Sequence, residues 1–71
     1  MAIVKVIEVI ASSENSFEDA VHNAVTEVSK SIQNIDSVFV KDFKVHVNEG
    51  KITSYGAICK VSFRVDSNLK H

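Results

Sequence analysis

The chain predicts an α+β fold of the order β-α-β-β, with one helix packed on a three-stranded antiparallel sheet whose strands are ordered 1-3-2. Three observations carry this reading. Tyr55, Ala57, Cys59, Val61, Phe63 and Val65 occupy consecutive odd positions and none is charged, the period-two pattern of a strand with one face in a core. Phe17, Ala20, Val21, Ala24, Val25, Val28 and Ile32 recur at helical spacing and form a single apolar stripe. In Val47-Asn48-Glu49-Gly50-Lys51, Gly50 can take positive φ and Asn48 tolerates turn geometry, so the last strand is half of a hairpin.

The first strand spans Ile3 to Ile10, rich in β-branched residues and without helical periodicity. Its alternate faces, Ile3, Lys5, Ile7, Val9 and Val4, Val6, Glu8, Ile10, are neither of them purely polar. Ser12 to Ser16 form a loop, and Ser16 followed by Asp19 resembles a capping arrangement, which starts the helix near Phe17. Asn34, Asp36 and Ser37 break the helical pattern ahead of a second strand over roughly Val38 to Val47. There the apolar parity changes, from Val38 and Val40 to Phe43, Val45 and Val47, with Phe39 out of step. Either both faces are partly buried near its start, or a bulge at Lys41 and Asp42 re-aims the chain. A crossover helix makes the first two strands parallel, and placing the third between them makes every neighbouring pair antiparallel. One helix covers one face of such a sheet, which points to self-association for the other.

At 71 residues the chain is expected to be a single domain, 1–71, with an ordered core of about 3–65 and a polar tail over 66–71. Domains of this size bury only about 60% of their unfolded surface and need help from disulfides, metals or oligomerisation. Cys59 is the sole cysteine, so an intrachain disulfide is excluded and the cytoplasm is the expected location. The formal net charge of −1, with Lys41, Lys44, Lys51, Lys60 and Arg64 interleaved with acids, argues against a nucleic-acid partner. Lys5 and Glu8 interrupt the apolar start, and no run approaches the roughly 20 residues of a membrane span, so no membrane partner is expected. There is no phosphate loop, nucleophile elbow or paired acid/base motif, and the chain is expected not to be an enzyme. His22, His46 and Cys59 are dispersed, and Cys59 shares the core-facing parity of Val61 and Phe63. Glu8 interrupts an apolar strand face and is expected to pair with Lys60 or Arg64.

Taken in order, Ile3-Val4-Lys5-Val6-Ile7-Glu8-Val9-Ile10, then Ser12-Ser13, then Ser16-Phe17-Glu18-Asp19-Ala20, then the Gly50 hairpin and Val61-Ser62-Phe63-Arg64-Val65, the chain resembles the dodecins. The resemblance covers about residues 3 to 65. It implies a subunit of a hollow homododecamer, a non-enzymatic shell that binds or sequesters a small ligand, in many members a flavin such as riboflavin or FMN. In flavin-binding members a tryptophan at the start of the second strand stacks on the isoalloxazine ring, and a glutamine of the third strand bonds its polar edge. Matching the motifs puts Ser37 and Gly56 at those positions, so the resemblance places the flavin site at Ser37, Val38, Phe39 and Gly56 and implies that it is weakened or lost. Phe39 is the one nearby aromatic on the Ser37 face, either a replacement platform or a core and subunit-contact residue. The chain is most similar to the members lacking that tryptophan, some of which bind calcium. The alternative is therefore a flavin-free structural or calcium-binding dodecamer, for which symmetry could gather copies of Glu8, Asp36, Asp42 and Glu49. The competing use of these carboxylates is ion pairing with Lys5, Lys41 and Lys44.

Overall fold

The computed structural model describes residues 2–66, in four elements: β1 (Ala2–Ser13), α1 (Phe17–Ser29), β2 (Ile35–Asn48) and β3 (Lys51–Asp66). The sheet has the expected order, β1-β3-β2, with both pairings antiparallel. The expected tail lies outside the described residues from position 67 onward.

Three boundaries depart from the sequence reading. Ser12 and Ser13 belong to β1 and not to a loop, because β3 is long enough to continue the ladder, pairing Ser12 with Gly56 and Ser13 with Tyr55. β2 begins at Ile35, so Asp36 and Ser37 are strand residues. The helix ends at Ser29, and Ile32 lies beyond it, although its N–H still donates to the Val28 carbonyl at 2.9 Å.

The start of α1 forms as its sequence dictates. Ser16 is the N-cap, its hydroxyl accepting from the Asp19 N–H at 2.9 Å, and Glu18 and Asp19 place negative charge in the first turn. The Asp19 carboxylate accepts from the Ser13 hydroxyl at 2.7 Å and the Asn15 amide at 3.4 Å, bonds that hold its pKa below the ordinary value of 3.8. The network ties the helix entry to the end of β1. At the other hairpin end, Glu49 (φ 53°) and Gly50 (φ 76°) form a two-residue turn between Asn48 and Lys51, so the left-handed positions are Glu49 and Gly50, and Asn48 closes the strand instead. Two successive positive φ values match the right-handed twist of the flanking strands.

The core is thin. Ala20 and Ala24 of α1 meet Ala57 and Cys59 of β3, with Val61 fully buried beside them and Val9, Ala11, Val21, Val38 and Val40 packed around this cluster. The two alanines let the helix lie close to the sheet. Toward its N-terminus the same seam is closed by Phe17, whose ring sits 4.8 Å from Phe43 and 5.1 Å from Tyr55. Phe43 reaches this face through the bulge that the parity change announced. Val40 pairs with Cys59 and Asp42 with Ile58, leaving Lys41 as the extra residue that reverses the facing of everything after it.

Candidate ligand-binding face

Register defines the sheet face turned away from α1. Across the strands in the order β1, β3, β2, its rows are Val6–Ser62–Ser37, then Glu8–Lys60–Phe39, then Ile10–Ile58–Asp42, then Ser12–Gly56–Lys44. The face is apolar in part and uncovered, with Val4 and Val6 each 55% exposed and Ile10 and Phe39 each 63% exposed. Leaving such side chains wet forgoes roughly 1.5–3 kcal/mol for each one that a neighbouring surface would bury. Among the described residues nothing covers them.

Ser37 and Phe39 both stand on this face, as does Gly56. Val38 does not: it pairs with Val61 and packs against the helix-side core, so its side chain is withdrawn from the face and only its backbone lines it. Nor does one subunit bring Ser37 and Gly56 together. Ser37 pairs with Ser62, six residues along β3 from Gly56 (62 − 56), a separation of about 20 Å at the usual rise per residue.

Gly56 is buried despite its place on the open face. The side chain of its cross-strand partner Lys44 folds over it: a Cβ built on Gly56 would stand 3.0 Å from Lys44 Cγ and 3.3 Å from Lys44 Cε. The stem of Lys44 thus occupies the space beside the Gly56 Cα. Sequence reasoning passed over this, although glycine inside a strand is the usual sign that another group approaches its backbone closely.

The carboxylates proposed as cation ligands are spread out. Asp36 and Glu49 flank opposite ends of β2, Asp42 lies beside the bulge, and among the described residues no group of three or more His, Cys, Asp or Glu is close enough to hold a metal ion. Glu8 does pair, but with Lys41 at 3.6 Å rather than with Lys60 or Arg64. Lys41 follows the core-facing Val40, so it stands on the same outward face as Glu8 and reaches across β3. Both side chains are 47% exposed, so the pair contributes at most about 1 kcal/mol.

Two further features bear on chemistry. Cys59 is fully buried and burial pushes its thiol pKa up, the opposite of an activated nucleophile. A groove of about 720 Å³ runs between α1 and the free edge of β1, lined by Ile7, Val9, Ala24, Val28 and Ile32, with Asn23 and Glu27 at its polar side. No helix among the described residues is long and apolar enough to cross a membrane.

A single helix on one face of a twisted antiparallel sheet, with the other face apolar and open, defines a small α+β subunit built to assemble. The chain belongs to the dodecin family: the family model, described as Dodecin, matches residues 3–66. Among curated proteins it is similar to the dodecin of Thermus thermophilus, 25% identical over 64 residues that cover 90% of this chain and 93% of that protein. Among solved structures it is similar to the dodecin from Streptomyces coelicolor, with a TM-score of 0.90, 25% identity and 94% and 96% of the two chains covered. It is also similar to a calcium-chelating immunodominant antigen, calcium dodecin, from Mycobacterium tuberculosis, with a TM-score of 0.80, 30% identity and 97% and 99% coverage. The family is one of small flavin-binding shell proteins, homo-oligomers of this β-α-β-β subunit, and a calcium-binding member stands among the structural neighbours.

Proposed function

We propose that the chain forms a non-catalytic homododecameric shell in the cytoplasm that binds or sequesters a small ligand, with the family's flavin seat weakened. The observation that carries this reading is the pair of positions matched to that seat. Ser37 offers no ring to stack on, and Gly56 offers no amide, its slot being taken by Lys44. The residues present therefore do not fit a flavin in the family's manner, and Phe39 is the nearest aromatic left on the face. Stacking contributes roughly 1–3 kcal/mol by analogy with nucleobases, and a neutral hydrogen bond about 0.5–1.5 kcal/mol. Losing both weakens binding about ten- to a thousandfold or more. The uncovered apolar face supports the shell, and the distance between Ser37 and Gly56 supports a ligand seat between copies.

The test is the visible absorbance of the purified protein before and after adding riboflavin or FMN. The expected protein is colourless or carries substoichiometric flavin, and binds added flavin weakly. A tight yellow complex with quenched flavin fluorescence would show that another residue, with Phe39 first in line, has taken over the stacking role.

The second reading, a cation-binding shell, is favoured by the similarity to the calcium dodecin. Because Glu8, Asp36, Asp42 and Glu49 are scattered in one subunit, it requires carboxylates from several copies around a shared ion. EDTA would then lower the melting temperature of the assembly, and added calcium would restore it.

A further inference from the structure

We propose that the tip of the β2–β3 hairpin of one copy docks, head to tail, in the groove between α1 and β1 of the next copy. This names a contact between subunits and rests on the shell reading above.

The hairpin is unfinished within one chain. β1 leaves the ladder at Ser13, opposite Tyr55, and Phe17, the first residue of α1, marks the same level by its contacts with Phe43 and Tyr55. Past that level β2 and β3 run on to the Glu49–Gly50 turn as a two-stranded arm, with neither β1 nor the helix against it. Two strands alone are marginal in water. The arm is also apolar on one side. β2 is unbroken beyond Phe43, so Val45 and Val47 share the side on which Phe43 meets Phe17. In β3 the extra residue at this point is Thr53, whose hydroxyl donates to the His46 carbonyl at 3.2 Å, and passing over it sets Ile52 opposite Val47 on that side. Val47 and Ile52 are 60% and 55% exposed.

The groove offers what the arm lacks. It holds about 720 Å³, and Val9, Ala24, Val28 and Ile32 make its walls apolar. Beside it runs the outer edge of β1, whose backbone N–H and C=O groups have no strand partner among the described residues. The outer edge of β2 along the arm is open in the same way, so the two can meet through side chains and through backbone. A chain cannot fill its own groove. The arm projects beyond Phe17, whereas Val28 stands about 16 Å along the helix axis toward the other end. The occupant is a second copy, which carries the same arm. Because arm and groove are different surfaces, the contact is heterologous and closes copies into rings, the kind of contact from which a closed shell is built.

Cross-linking of the full-length protein by a short bifunctional maleimide tests this. Cys59 is fully buried, so the wild type is the blank. One variant carries Ile52→Cys on the arm, and a second carries Ser31→Cys, an exposed position lining the groove. Each variant alone should stay monomeric on a denaturing gel. The two refolded together should give covalent pairs and nothing larger, whereas one chain carrying both substitutions should give species larger than two. Pairs formed by Ile52→Cys alone would show arm against arm and overturn the inference. So would the absence of pairs from the mixture while light scattering shows an intact assembly, because something else then fills the groove. A folded monomer by light scattering would instead remove the shell reading itself, and the contact with it.

Discussion

Ser37→Trp raises the affinity for riboflavin by about tenfold to a hundredfold, the largest gain expected from any single substitution in this chain. Position 37 lies on the outward face beside Val6 and Ser62 in the register of the sheet, and Ser37 is exposed, so an indole there is not forced into the core. The ring restores the stacking surface without disturbing the ladder, since the substitution leaves the backbone donors and acceptors in place. Adding Gly56→Gln is expected to yield a smaller further gain, because the Lys44 stem, 3.0 Å from the new Cβ at Cγ, must give by a few tenths of an ångström to admit it. Fluorescence quenching of riboflavin measures both steps. No gain from Ser37→Trp would mean that the face does not meet a second copy in the way a flavin seat requires.

Val61→Asp leaves no folded subunit. Val61 is fully buried on the central strand, paired with Ile7 on one side and Val38 on the other. An unpaired carboxylate there costs several kcal/mol, and relocating it to solvent would break the central ladder. Whole domains are stable by only about 5–15 kcal/mol, and one with so few fully buried side chains falls low in that range before it assembles. Circular dichroism of the variant should show loss of the sheet and helix signals, and the protein should be recovered mainly as aggregate. A folded and assembled Val61→Asp would place position 61 outside the core.

Local periodicity made the fold legible. The alternating odd positions of β3 and the stripe on α1 identify their elements without reference to anything distant, and Ser16 marks the helix start through a bond three residues long. Even the bulge left a trace, in the change of apolar parity along β2. Pairing was the harder part because it is not local. That β1 extends through Ser13 depends on the length of β3, and that Glu8 meets Lys41 rather than Lys60 depends on the placement of β2, two strands away. The same dependence hid Lys44. Its closeness to Gly56 follows only when the bulge position and the hairpin register are both known, since a slip of one residue would turn Lys44 to the opposite face. The turn chemistry was read in the right place, although the left-handed residue beside Gly50 proved to be Glu49.

This thin subunit is completed by its own copies in a closed shell, and the mass in solution tests that most directly. Light scattering on the purified protein at micromolar concentration should give about 94 kDa, twelve times the 7.8 kDa of the chain, with no stable folded monomer. A monodisperse, folded 7.8 kDa species would contradict it, because the exposed face of Val4, Val6, Ile10 and Phe39 would then be a solvent surface and the ligand seat between copies would not exist.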